Sequence, residues 1–394
     1  MGPGATLCVA ITLLWTGFVL VCVSAVALRP RGRRVLGDAA PPLVLLRPAE
    51  RATPALRERL SRDAHAYSGA LVRIACLATP GEVPEGVHLV ASGASAEAPS
   101  NRKALHLAAG LDASRTLVHG DPIVVHADAD VELQPGDLDV LAATLLSARG
   151  PALAFAPPAP RGGTWLAQAV IALSAQAFAS VFALARYPLI ERFVRPSPAV
   201  AGKLVAVRRS TLDRIGGYRA IAAHIADDVA LVGAVAAHGG EIAMSPRAAH
   251  VAAAGRTPGT LHEQLVRWFQ VVRSHRPHLV ASLPVLVAPG ALALVLAAVA
   301  TASDARAGLV CLGAFVGARA LLAVLLALGP YRGRVRGAAV LAAGLLAPAV
   351  DGFVLAAVAA AHLRRDVRWA GRTYRLGPGG AILSVAMERG GGAG

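Results

Sequence analysis

Two aspartates one residue apart, Asp128 and Asp130, end the β-branched run "PIVVHAD" at residues 122–128. On an extended chain residues i and i+2 project to the same side, so both carboxylates can address one point beyond the strand. That arrangement suits Mg²⁺ or Mn²⁺, which takes a few carboxylate oxygens and leaves its other positions to water and to the phosphates of a nucleotide. A solvated loop after a strand would account for the same residues without chemistry. A second acidic pair, Asp227 and Asp228, follows a Gly-Gly turn within "GKLVAVRRSTLDRIGGYRAIAAHIADDVAL", residues 202–231, and opens an apolar helical run. Aspartate at a helix start satisfies free N–H groups there. One acid is enough for a cap, which leaves the second for other work. Further on, Gln264, Arg267 and Trp268 fall at i, i+3 and i+4 in "HEQLVRWFQVVRSHRP", on one face of a helix. A basic amphipathic helix lying on lipid has the same pattern.

These residues need elements to position them. Strand-like runs stand at 42–46, 70–77, 87–91 and 122–128, with helical patterns such as "TPALRERLSRDAHAY" between some of them. Strands alternating with helices predict an α/β domain over residues 40–275 with a mostly parallel sheet, whose ligands bind at the carboxyl ends of the strands. Asp128 and Asp130 sit at such an end.

The rest of the chain is apolar. Of 394 residues 55% are hydrophobic, and the formal charge of +15 comes almost wholly from arginine, Lys103 and Lys203 being the only lysines. Such a balance fits anionic lipid or a phosphorylated substrate. With aromatics at 4% a base-stacking platform for nucleic acid is not expected. Cys8, Cys22, Cys76 and Cys311 show no CxxC spacing, so neither a zinc site nor a disulfide framework is read. Residues 4–28 carry no charge and are followed by Arg29, Arg31, Arg33 and Arg34. This predicts an amino-terminal membrane anchor over residues 1–28 with a cytoplasmic domain after it. Two further spans are expected at 279–300 and 307–328, and a re-entrant or interfacial hairpin at 338–362, broken by Pro348 and Asp351. The hairpin keeps the basic tail, residues 363–394, on the cytoplasmic side. Richness in alanine, glycine and arginine has the look of high-GC bacterial coding, so a bacterial inner membrane is the expected location.

The ordered set of D-x-D, G-G-[FY] followed by an acidic pair, and Q-x-x-R-W before a membrane span resembles the membrane-bound glycosyltransferases of the GT-A fold. Within these the chain is most similar to ceramide glucosyltransferase and the hopanoid-associated enzymes of glycosyltransferase families 21 and 2. "SNRKALHLAAGL", with Asn101, Arg102 and Lys103, and the closing "VRWAGRTYRL" at 367–376 also resemble that family.

The resemblance implies an inverting transfer of a sugar from a UDP-sugar to a lipid hydroxyl, on ceramide or on a hopanoid polyol. It implies that Asp128 and Asp130 hold the divalent cation against the diphosphate and that Asp228 is the general base. Asp227, Lys103, Gln264, Arg267 and Trp268 would line the donor site. Two departures stand out: the aspartate that binds uracil in the family has no aligned counterpart, and the family's aspartate ahead of the asparagine-basic-lysine element is missing from "VASGASAEAPSNRK"; Glu82, Glu85 and Glu97 are the acids that could substitute. A catalytically degenerate, lipid-binding relative is therefore the alternative from another class. A processive polysaccharide synthase needs more spans than this chain offers.

Overall fold

The protein is described here by a computed structural model covering residues 1–27, 40–93, 100–170, 200–253, 255–275, 277, 288–335, 342, 344–369 and 371–387. The basic cluster at 29–34, Glu97 and the first part of the span expected at 279–300 lie outside the described residues.

The four strand-like runs form β1 (Leu43–Ala49), β2 (Leu71–Leu77), β3 (Val87–Ala91) and β4 (Ile123–Ala127). They lie parallel in the order β3-β2-β1-β4. The sheet continues through β8 (Leu204–Arg208), antiparallel to β4, then β6 (Leu153–Phe155) and β9 (Ile242–Met244). The result is a seven-stranded mixed, mostly parallel sheet. In β1 and β4 every residue up to the last is covered, as expected of central strands buried on both faces, which read as continuous apolar runs.

Alternate residues of those strands feed two cores. Val44, Leu46, Val124 and Val205 pack with Leu107 and Leu111 of α3 (Arg102–Leu117). Leu43, Leu45 and Val125 pack with Leu138 and Leu141 of α4 (Asp137–Leu145). α2 (Pro54–Arg62) starts with Thr53, whose hydroxyl accepts the Leu56 N–H, and with Pro54 in the first turn, where its missing N–H costs nothing. After β8 the chain forms two short helices, α5 (Arg209–Arg214) and α6 (Gly217–Ala220), and then α7 (Asp227–Ala237). A small second sheet sets β10 (Ala249–Ala252) between β5 (Val131–Glu132) and β7 (Pro158–Arg161).

The apolar helices gather beside this domain. α1 (Pro3–Ala27) lies along α9 (Gly290–Ser303) and α10 (Ala305–Leu328). Ala5, Cys8, Ala297, Ala300, Ala307 and Cys311 meet at their junction, small side chains that let helix backbones approach closely. Among the described residues two helices are long and apolar enough to cross a membrane, within α1 and α10. Both turn large apolar side chains outward, Leu14 at 74% and Leu309 at 71% exposure. α8 (Pro258–His275) packs against α11 (Ala347–Leu363) through Leu261, Leu265 and Phe269 on one side and Val350, Val354 and Val358 on the other.

The break expected at Pro348 is a helix start. The backbone turns at Leu346, and Pro348 occupies the first turn of α11, where proline is tolerated. Asp351 is fully buried. It accepts the Gly290 N–H at 2.7 Å and pairs with Arg319 at 3.1 Å, joining α9, α10 and α11 at one point.

The segment read as a basic tail is folded. β11 (Asp366–Trp369), β12 (Arg372–Leu376) and β13 (Ile382–Met387) make an antiparallel three-stranded sheet. Ile225 donates to Gly380 O at 3.0 Å and Ile382 to Ala223 O at 2.8 Å, so this sheet is fastened to the loop just ahead of Asp227. Val367, Tyr374 and Ile382 cover Ile225 and Ala226.

Candidate active site

Asp128 follows β4, and the turn that carries it is held from several sides. Its N–H donates to Lys203 O at 2.9 Å, and its carbonyl accepts the Val131 N–H at 3.0 Å and Arg47 Nη1 at 2.8 Å. The Arg47 guanidinium, fully buried in β1, also reaches Val131 O at 2.9 Å and forms a two-pronged pair with Asp63 at 2.8 and 2.7 Å. Arg59 donates to Ala129 O at 2.8 Å, and Asp130 O accepts the Ala252 N–H at 2.8 Å. A turn with so many backbone groups engaged keeps its side chains in place before any ligand arrives.

The two carboxylates do converge. Lys203 Nζ lies 2.9 Å from Asp128 Oδ2 and 3.0 and 2.9 Å from the two oxygens of Asp130. Lys103 Nζ lies 2.6 Å from Asp128 Oδ1 and 2.8 Å from Asp227 Oδ2. Lys103 thus links D-x-D to the acidic pair, while Lys203 joins the two D-x-D carboxylates to each other. Arg256 approaches Asp130 at 3.4 Å. Burial alone would raise the Asp128 carboxyl, but Lys103 and Lys203 outweigh it and hold it well below the usual carboxylate range. Burial likewise works against the charge on Lys103, and Asp128 and Asp227 overcome it, so that ammonium is held charged far above neutral pH. Asp128 and Asp130 are the residues that could hold a divalent cation. Among the described residues no group of three or more His, Cys, Asp or Glu side chains is placed to do so, so the remaining coordination positions would fall to water and phosphate oxygens.

The N-R-K element at the start of α3 ties the two acidic stretches together. Asn101 caps α3 by accepting the Ala104 N–H at 3.3 Å, and its amide donates to His224 O and Ile225 O at 3.1 and 3.0 Å. It therefore fixes the loop that leads into Asp227. Arg102 pairs with Glu50, at the end of β1, at 2.7 Å. Of the acids considered for the family's uracil contact, Glu82 pairs with Arg57 at the surface.

At the start of α7 the two acids separate in role. Asp227 points to Lys103. Asp228 accepts the Gly202 N–H through Oδ2 at 2.9 Å. A Cβ at Gly202 would overlap the Asp228 side chain, so only glycine permits this approach. Burial first, and the negative charge of Asp227 second, push the Asp228 carboxyl up to about 6, against the opposing pull of Lys103. The Gly-Gly turn has its own reason: Gly216 and Gly217 both adopt positive φ, 82° and 67°, where a side chain is strained. It delivers Tyr218 into the core, its hydroxyl 3.0 Å from His126 Nδ1 on β4. Burial and the nearby Lys103 push His126 down to about 4, so the imidazole under the site is neutral at physiological pH.

From α8, Arg267 lies within the field of Asp128 and Asp130, and its guanidinium stacks 5.6 Å from the ring centre of Trp369 on β11, a cation–π arrangement. Gln264 is half-buried one turn earlier. Trp268 packs against the apolar cluster shared by α8 and α11. The structure thus gathers Asp128, Asp130, Lys103, Asp227 and Asp228 around shared partners, with Arg267 reaching toward them. Three participants were not picked out from the sequence. Lys203 carried a signal, being one of only two lysines in an arginine-rich chain. Trp369 lay inside a motif already matched. Gly202 gave no signal at all.

A mostly parallel mixed sheet with an acidic turn after its β4 strand, beside a group of apolar helices, is the frame in which the GT-A class of glycosyltransferases is to be looked for. The model for glycosyl transferase family 21 matches residues 85–382, and the chain belongs to that family. The match runs from the loop before β3 through β12 to Ile382, the first residue of β13. Among solved structures, the chain is similar to a mannosyltransferase from Pyrobaculum calidifontis in complex with GDP-Man and Mn²⁺, at 18% identity and TM-score 0.42 over 90% of this chain and 98% of that one. It is also similar to glucosyl-3-phosphoglycerate synthase from Mycobacterium tuberculosis, in complex with Mn²⁺, UDP and phosphoglyceric acid, at 16% identity and TM-score 0.36 over 60% and 78%. No curated protein sequence matches.

Proposed function

We propose that this protein is a membrane-embedded, inverting glycosyltransferase that moves a sugar from a UDP-sugar to a lipid hydroxyl, ceramide or a hopanoid polyol. The observation that carries the reading is Asp228, a half-buried carboxylate held by the Gly202 N–H and joined through Asp227 and Lys103 to the D-x-D turn. Its carboxyl, raised to about 6, remains mostly ionised at neutral pH and binds a proton more readily than an ordinary aspartate. This suits a general base that takes the acceptor's hydroxyl proton as that oxygen attacks the anomeric carbon. One displacement by one base inverts that carbon.

A divalent cation, Mg²⁺ or Mn²⁺, held by Asp128 and Asp130 would neutralise charge on the departing diphosphate. Lys103 keeps Asp128 and Asp227 in register, and Arg267 adds positive charge on the diphosphate side. Gln264 and Trp268 would help to orient the donor and close the site. The outward leucines of α1 and α10, together with α9 and α11, support a multi-pass arrangement in a bacterial inner membrane with the catalytic domain cytoplasmic. A lipid acceptor then reaches Asp228 from the bilayer surface.

The test is transfer of radiolabel from UDP-glucose and from UDP-N-acetylglucosamine to extracted lipids, by membranes carrying wild type or Asp228→Asn. Label in lipid that disappears in the variant supports the reading and names the donor. Absence of transfer from both donors, with Mg²⁺ and Mn²⁺ each supplied and both lipid classes present, would move the assignment to a non-catalytic lipid-binding relative.

A further inference from the structure

Lys203 has no part in the proton transfer, yet its ammonium occupies the position between the two D-x-D carboxylates. Both Oδ2 atoms lie 2.9 Å from it. Any divalent cation taken by those oxygens must displace it. The other lysine cannot play that part, because Lys103 bridges Asp128 to Asp227 and so stitches two elements together. The Lys203 backbone is fixed as well, its carbonyl accepting the Asp128 N–H at 2.9 Å. Only its flexible stem can move, and a compact ammonium on a four-carbon stem moves more easily than the planar fork of arginine, which supplies the chain's permanent positive charge at every position but Lys103 and Lys203.

Displacement has an electrostatic consequence. The side chain is 23% exposed, and Arg256 at 3.4 Å from Asp130 and Arg267 nearby already make the surroundings positive. An ammonium pushed off its carboxylates by a dication is left partly desolvated among like charges. A nucleoside diphosphate relieves this, because its phosphate oxygens can accept the freed ammonium. We propose that Lys203 is a displaceable counter-ion that makes divalent-cation binding at Asp128 and Asp130 conditional on a nucleoside diphosphate, to whose oxygens its ammonium passes. The inference rests on the nucleotide-sugar reading of this site. By linkage the same coupling strengthens nucleotide binding when the metal is present, and the empty enzyme keeps its carboxylates paired.

The experiment is a Mn²⁺ titration of the full chain in detergent, free ion being read by electron paramagnetic resonance, with and without UDP. Wild type, Lys203→Met and Lys203→Arg are compared. Without UDP, Lys203→Met is expected to bind Mn²⁺ about tenfold or more tightly than wild type and to lose the matching share of the UDP effect. Lys203→Arg, which keeps the charge, is expected to stay near wild type. Equal affinity of wild type and Lys203→Met without UDP, or no Mn²⁺ binding by either, would overturn the proposal. A second measurement needs no variant: with Mn²⁺ alone raised to the concentration that fills the wild-type site in that titration, amine acetylation followed by mass spectrometry should show Lys203 labelling rise several-fold relative to Lys103, and fall again with UDP. An unchanged ratio would overturn it. Neither readout involves sugar transfer, so absent transfer with intact Mn²⁺ coupling would count against the lipid glycosyltransferase reading alone.

Discussion

Replacing Asp227 by asparagine should move the acid limb of the pH–rate profile to lower pH. The Asp228 carboxyl stands at about 6, first because of burial and then because of the Asp227 charge beside it. The base must be ionised to act, so wild-type kcat/KM should fall as pH drops through about 6. At pH 5 only about one tenth of the sites would then carry the working form. Asp227→Asn removes the second cause and leaves the first, so the carboxyl should fall part of the way toward the ordinary aspartate range. A drop of about one pH unit raises the ionised share at pH 5 to roughly half, a roughly fivefold gain relative to the plateau. Lys103 still pairs with Asp128 at 2.6 Å, which keeps the D-x-D turn tethered in the variant. The assay is initial-rate sugar transfer from pH 4.5 to 8 at a fixed, subsaturating donor concentration, each variant normalised to its own plateau, with pH limits set on the order of the two carboxyl ranges. An acid limb that stays in place in Asp227→Asn, or a wild-type limb near that of an ordinary aspartate, would refute the reasoning.

Two further outcomes are expected. Asp63→Ala leaves the buried Arg47 guanidinium without its carboxylate partner, which should cost about 3–5 kcal/mol, read as a lowered thermal unfolding midpoint with loss of transfer. Gly202→Ala forces a Cβ into Asp228 and should lower transfer about a hundredfold while the unfolding midpoint changes far less than in Asp63→Ala; transfer at the wild-type level would remove the close approach from the account.

Much of the catalytic domain was legible because its signals are local. The runs at 42–46, 70–77, 87–91 and 122–128 became parallel neighbours; apolar continuity marks β1 and β4 as strands covered on both faces, while β3 is the largely exposed edge. Asp128 and Asp130 could be set on one side by strand geometry, and Asp227 and Asp228 at a helix start by position alone. What escaped depends on distant partners. Arg47 meets Asp63 and the D-x-D turn across 16 and 81 residues, and no spacing rule connects them. The carboxyl-terminal sheet was hidden by its arginines: Arg368 and Arg375 alternate with Val367 and Tyr374, and only the latter two are buried. Their charge marked only a basic tail on the cytoplasmic side, while the buried alternates fasten it to the acidic loop. Pro348 and Asp351 read as helix breakers because a proline and a charge are costly mid-helix in lipid. The first lies in an opening turn, and the second is satisfied by Arg319 and the Gly290 N–H.

The central claim is a single displacement assisted by Asp228. Its most direct test is the anomeric configuration of the purified glycolipid product, read from the anomeric proton coupling in a nuclear magnetic resonance spectrum after transfer from an α-linked UDP-sugar. The account predicts a β-glycoside, formed by wild type and not by Asp228→Asn. An α-glycoside, or undiminished β-product from the variant, would contradict it.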